Sequence, residues 1–144
     1  MRGLGMESRE AMRYAEEVAE GAYAPYSGFR VGAAVVTEAG GVYPGCNVEN
    51  ASYGLAMCAE RNAVAAMVLA ATGDARPRIS YVAVTSPDAA PTFPCGACRQ
   101  VLHEFGCREV FVREAGDVGD VEGVRGYPFE DILPNAFGPE DLGE

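Results

Sequence analysis

Two short stretches constrain this chain more than anything else in it: Met57-Cys58-Ala59-Glu60-Arg61, and Phe93-Pro94-Cys95-Gly96-Ala97-Cys98-Arg99-Gln100. Thiolates two residues apart, as in Cys95 and Cys98, can chelate one borderline or soft metal ion. A third thiolate from a distant segment, Cys58, makes a set of three protein ligands. Three ligands leave a tetrahedral ion with one open position. On zinc that position takes water, whose pKa drops from ~15.7 towards ~7, so hydroxide is available at neutral pH. Glu60, two residues from Cys58, is then placed to move protons beside the hydroxide rather than to bind the ion. The fold must therefore bring residue 58 to residues 95–98, with zinc, one ion per chain, as the expected cofactor.

A regular helix points residues i and i+2 to different sides, so Cys58 and Glu60 should not share a ligand within one. The difficulty disappears if the ion sits off the helix end. Two helix starts facing one another would surround the metal with free N–H groups and positive dipole ends, lowering the thiol pKa values. Charge adds a second constraint, because three thiolates, a dication and hydroxide sum to a net negative centre. Arg61 and Arg99, each adjacent to a ligand or to Glu60, are expected to offset this by hydrogen-bonding to sulfur.

A C-x-x-C alone also suits a redox pair or half of a structural zinc site, and a structural site needs a fourth protein ligand. The candidates are Cys46, Cys107 and the single histidine, His103. Cys46 falls in an expected strand and Cys107 after a helix end, where small buried hydrophobes belong. His103 lies five residues past Cys98, too far along the same helix to reach its start. Five cysteines is an odd count, which disfavours a secreted disulfide framework and points to a reducing, cytoplasmic setting.

The chain of 144 residues is long enough for one domain, spanning 1–144, that buries most of its apolar surface. Its net charge of -10 opposes binding to a polyanion such as nucleic acid, and the basic residues are scattered singly. All of them are Arg, so no lysine is available as a Schiff-base nucleophile. No run approaches the ~20 apolar residues of a membrane span, and the N-terminus lacks a signal-like apolar core.

The helical spacing of Ala11, Ala15, Val18, Ala19 and Ala22 predicts an amphipathic helix from Ser8, as N-cap, to Ala22. Pro25 to Gly28 break it. Strands are expected at Phe29 to Thr37 and Val42 to Val48, joined as a hairpin through Gly40-Gly41. A helix should begin at Cys58 and stop at Thr72-Gly73-Asp74. A strand buried on both faces follows at Ile79 to Thr85, then a proline-rich loop, then a helix from Cys95 ending before Gly106 as C′ residue. Glu109 to Arg113 and Val121 to Tyr127 read as strands linked by the turn-rich residues 115–120, too short for a crossover and hence antiparallel. Pro128 to Leu133 reads as a last short helix. The order predicts an α/β fold: a three-layer α/β/α sandwich around a mixed five-stranded sheet.

The motifs C-A-E-R and P-C-G-A-C-R-Q, with AYAPYSGFRVGAA, GCNVENASYG and a late LPNAF, closely resemble the small, homotetrameric type of cytidine deaminase, from about Ala22 to Leu142. The resemblance is weakest between Arg113 and Gly126 and at residues 72–79. It implies that Cys58, Cys95 and Cys98 hold zinc while Glu60 shuttles protons between water, N3 of the base and the departing amine. It further implies that Asn47 and Glu49 hydrogen-bond the ribose 3′-hydroxyl, that Phe29 stacks on the pyrimidine, and that the backbone N–H of Ala59 donates to the base carbonyl. Tyr53 and Phe137 would reach a neighbouring subunit's site. The implied activity is deamination of cytidine and deoxycytidine in pyrimidine salvage, on a small-molecule substrate, with no nucleic-acid or membrane partner. Rival readings are a deaminase of another aminopyrimidine nucleoside of the blasticidin S type, which Phe29 and Asn47-Val48-Glu49-Asn50 disfavour, and an inactive zinc-stabilised binding module, which would have no need of Glu60.

Overall fold

The structure, a computed structural model, describes residues 7–71, 76–114 and 123–143. Its elements are α1 (Ser8–Ala19), β1 (Gly32–Thr37), β2 (Val42–Cys46), α2 (Ala59–Ala70), β3 (Ile79–Thr85), α3 (Gly96–Glu104), β4 (Glu109–Arg113), β5 (Val124–Pro128) and α4 (Phe129–Ile132), with a 3₁₀ turn at Tyr53–Leu55 and another at Pro139–Leu142. The five strands form one sheet in the order β2-β1-β3-β4-β5. β3 and β4 are parallel, joined through α3, and every other neighbouring pair is antiparallel, including β4 with β5.

The two faces of the sheet follow the period-2 alternation of the strands. Ala33, Val35, Val82, Val84, Val110 and Val112 point to the side covered by Ala63 and Met67 of α2, Leu102 of α3 and Ile132 of α4. Ala34, Val36, Tyr81 and Ala83 point to the other side, where Ala11, Met12 and Ala15 of α1 cover them. The result is three layers. β3 is buried along almost its whole length, as its near-continuous apolar run requires.

Several boundaries differ from expectation, each for a local reason. Ser8 is the first helical residue of α1 and Glu7 the N-cap, without a side-chain cap. The helix ends at Ala19 rather than Ala22, because Gly21 and Ala22 donate to Val18 and Ala19, tightening the last turn. β1 starts at Gly32 rather than Phe29, since the N–H groups of Phe29, Arg30 and Val31 are taken by the side chains of Ser27, Asp88 and Asn47. β2 stops at Cys46, and Val48 makes only isolated bridges to Tyr23 and Met57. Cys58 and Cys95 are N-caps rather than helical residues. At the end of α3, Gly106 takes φ +68°, with its N–H on the His103 carbonyl and that of Cys107 on Leu102, a Schellman closure. The stop at Thr72-Gly73-Asp74, the turn at residues 115–120 and a strand start at Val121 lie outside the described residues.

One glycine positions the site directly. A Cβ on Gly45 of β2 would come within 2.4 Å of the Ala59 carbonyl oxygen and 2.5 Å of the Ala63 nitrogen, both backbone atoms of α2. The first turns of α2 therefore lie hard against β2, and the Asn62 amide, donating to the Cys46 carbonyl at 2.8 Å, holds them there. Gly45→Ala should cost about 1–3 kcal/mol through overpacking and lower the melting temperature by about 3–10 °C. Unaltered thermal unfolding of this variant would show that α2 can move away freely.

Candidate metal centre and active site

The helix starts of α2 and α3 meet. Their N-cap residues Cys58 and Cys95 have extended backbone, and their sulfurs lie 3.8 Å apart. Cys98, in the first turn of α3 and fully buried, completes a trio whose sulfurs all lie within 4.8 Å of one another. Sulfurs at ~2.3 Å from a tetrahedral zinc are ~3.8 Å apart, so the trio has the spacing of a zinc ligand set. Among the described residues it is the only group of three or more His, Cys, Asp or Glu ligands this close together.

The electrostatics of the trio agree with that fit. Cys98 hydrogen-bonds to Cys58 and is buried, which pushes its thiol far above the ordinary range. Cys58 is brought down to about 5, chiefly by that hydrogen bond from Cys98, with Arg61 and Cys95 contributing. One sulfur gains its charge while its neighbour keeps a proton. Full ionisation of all three needs a cation among them, which a divalent metal supplies.

Glu60 follows at the second position of α2 and is only 4% exposed. Burial raises its carboxyl to about 7, and the Cys58 charge adds to the rise. Arg61 donates from a terminal nitrogen to the Cys58 sulfur at 3.5 Å, the contact that most raises its own pKa. Arg99 corrects the expectation of a second arginine on sulfur. Its Nε donates to the Pro94 carbonyl and a terminal nitrogen to the Ile132 carbonyl, both at 2.7 Å. It thereby ties the turn that carries Cys95 to the end of α4. Arg61→Ala should weaken zinc retention about 10- to 100-fold, measured by competition with a chromophoric chelator; retention at the wild-type level would leave the sulfur contact without consequence.

Two of the three metal-ligand candidates, Cys58 and Cys95, open onto a cleft of about 270 Å³ lined also by Phe29, Val31, Asn47, Glu49, Ala59, Glu60 and Phe93. This is near the ~300 Å³ lower end for small-molecule pockets. Ala59 heads α2, where the first N–H groups have no intrahelical acceptor. Asn47 is anchored by accepting from the Val31 N–H and donating to the Phe29 carbonyl, each at 2.8 Å. Glu49 accepts from the N–H groups of Tyr26 and Ser27 and from the Ser27 hydroxyl, and that last bond does most to lower its pKa. A carboxylate offers about four acceptor positions and an amide two donors and two acceptors. One acceptor on Glu49 and a donor and an acceptor on Asn47 therefore remain, enough for a hydroxyl.

Tyr53 and Phe137 do not line this cleft. Tyr53 is 77% exposed beside Tyr26, with ring centroids 6.1 Å apart, and Phe137 is 60% exposed, its carbonyl accepting from Gln100. Cys107 is buried, its sulfur 3.5 Å from the Glu109 carbonyl, and His103 stacks on Phe129 near the far end of α3. Neither joins the sulfur trio. Sequence reasoning passed over Ser27, which bridges Glu49 to the Phe29 N–H, and Phe93, Thr92 and Met57 in the lining. Ser27 had a signal, since serine in a Pro-x-Ser-Gly turn bonds backbone two residues on.

Comparison with known proteins supports zinc as the ion for the cysteine trio. Residues 6–114 match the family model described as the cytidine and deoxycytidylate deaminase zinc-binding region. A cytidine deaminase of Halalkalibacterium halodurans is 38% identical over 139 residues, covering 96% of this chain and all of that protein. A cytidine deaminase of Mycobacterium tuberculosis is 44% identical over 128 residues, 89% of this chain and 87% of its own. A crystal structure of cytidine deaminase from Burkholderia pseudomallei superposes with a TM-score of 0.77 at 44% identity, covering 92% of this chain and 100% of the other.

Proposed function

The chain belongs to the cytidine and deoxycytidylate deaminase family, and from that premise we propose that it is a zinc-dependent hydrolase converting cytidine and deoxycytidine to uridine and deoxyuridine with release of ammonia. The observation that carries this reading is a cysteine trio, Cys58, Cys95 and buried Cys98, that opens through Cys58 and Cys95, with Glu60 alongside, into a cleft rimmed by Phe29, Asn47 and Glu49. When bound by the three cysteines, zinc supplies a Lewis acid that makes water a nucleophile at neutral pH.

The chain's own groups do the rest. Glu60 accepts a proton from water and passes it to N3 of the pyrimidine, then takes a second proton from the hydroxyl added at C4 and delivers it to the amine leaving that carbon, so that the C4 oxygen becomes a carbonyl and ammonia departs. Its burial keeps bulk water from taking over that task. The Ala59 N–H, free at the helix start, donates to the base carbonyl. Phe29 stacks on the ring, and a sugar hydroxyl donates to the remaining acceptor of Glu49 while accepting from Asn47. No Arg or His lines the cleft among the described residues, and Glu49 opposes a second negative charge, which favours a nucleoside over a nucleotide.

The protein acts as a single deaminase domain, in the cytoplasm, as a homotetramer in which Tyr53 and Phe137 complete neighbouring sites. Support for the assembly comes from the exposed apolar side chains of Tyr53, Phe137 and Leu69 on α2. No described helix is long and apolar enough to cross a membrane. The functional reading is tested by following ultraviolet absorbance on incubation with cytidine, deoxycytidine, cytosine and cytidine monophosphate. Both nucleosides should react, with cytosine slower by about 10²-fold or more because Asn47 and Glu49 are then left unpaired. Equal turnover of cytosine and cytidine would overturn the assignment of that pair.

A further inference from the structure

The cleft lining includes two segments distant in sequence. Phe29 and Val31 lie just before β1, while Thr92, Phe93 and Cys95 belong to the loop between β3 and α3. Among the described residues, the hydrogen bonds between these two segments all join Arg30 to Asp88. The Arg30 N–H donates to Asp88 Oδ2 at 2.8 Å, Nε to the same oxygen at 3.1 Å, and a terminal nitrogen to Oδ1 at 3.0 Å. This is a fork-to-fork pair reinforced by a backbone bond, a geometry that specifies distance and orientation together.

Both partners are themselves held. The third guanidinium nitrogen donates to Glu20 at the end of α1, at 3.0 Å, and the Asp88 N–H donates to the Ser86 hydroxyl, buried at the end of β3. Extended backbone sends alternate side chains to opposite sides. Phe29 and Val31 line the cleft, and Arg30 between them does not. Its charge reaches out of the site to the loop that leads to Cys95.

We propose that Arg30, acting through Asp88, is a positioning residue that sets the spacing between the Phe29 wall and the Cys95 loop, and so the fit of the pyrimidine. The inference rests on the reading of Phe29 as the aromatic that holds the base. Each partner shifts the other's ionisation in the direction of a formed pair, Asp88 lowered and Arg30 raised. An exposed pair contributes little to global stability. Its loss should therefore appear in substrate binding rather than in folding.

The test compares Arg30→Gln, Asp88→Asn and the double variant, with Phe29→Ala as reference for the cleft. Each single variant should raise KM for cytidine about tenfold, with kcat within about twofold, and the double should raise it no further. Zinc content should stay at the wild-type level and the melting temperature within about 3 °C. Unchanged KM in the single variants, additive rises in the double, or a joint fall of kcat and zinc content would each overturn the clamp. A raised KM in Phe29→Ala with silent Arg30 and Asp88 variants counts against the clamp alone, whereas a silent Phe29→Ala overturns the reading of the cleft and the clamp with it.

Discussion

Glu60→Gln lowers kcat for cytidine by about 10³- to 10⁴-fold, the upper part of the range for general acid–base catalysis, while zinc remains bound. The substitution preserves volume, the second position of α2 and hydrogen-bonding capacity. What it removes is a group that can take up a proton and give it back. The carboxyl lies 4% exposed with its pKa raised to about 7 by burial, so no solvent base has easy access to replace it. The expected signature is a fall in kcat with KM for cytidine within a few-fold of wild type and unchanged metal content. Loss of zinc from Glu60→Gln would instead identify the carboxylate as a ligand and remove it from the proton-transfer role.

The second large effect is on the metal itself. Cys98→Ala removes the buried member of the trio, and Cys95→Ala the exposed one. Either leaves two sulfurs, and zinc affinity should fall by more than about 10²-fold, since even groups that merely support ligands are worth 10–100-fold. Both variants should lose activity. A ligand present at 1,000 times its Kd stabilises the folded state by about 4 kcal/mol, so a chelator should lower the wild-type melting temperature by about 10 °C. The same chelator should lower the melting temperature of Cys98→Ala by no more than about 4 °C, since a 10²-fold weaker site is at most about 10 times above its Kd. A shift in Cys98→Ala as large as the wild-type one would mean that the ion is held elsewhere.

The site was legible in the sequence where chemistry demands particular residue types. Three thiols and one carboxylate in two short motifs have few other uses, and the structure brings Cys58, Cys95 and Cys98 together. β3 and β4 were legible because a short apolar run between turn residues has few alternatives. Boundaries were harder. Phe29 to Val31 read as strand by composition, yet their N–H groups are claimed by side chains up to 58 residues away, which no local pattern records. Arg99 shows the same limit. Its adjacency to Cys98 suggested a sulfur partner, but side-chain direction on the helix takes it to the carbonyls of Pro94 and Ile132. Arg30 and Asp88 carried no signal at all, because isolated surface charges look alike until the fold pairs them.

Zinc K-edge X-ray absorption on the purified protein counts the ligands of the ion. A site of three cysteines with one open position predicts three sulfur scatterers at ~2.3 Å and one light scatterer at ~2.0 Å, the latter retained in Glu60→Gln. Four sulfurs, or a light scatterer lost with the Glu60 carboxylate, would contradict it.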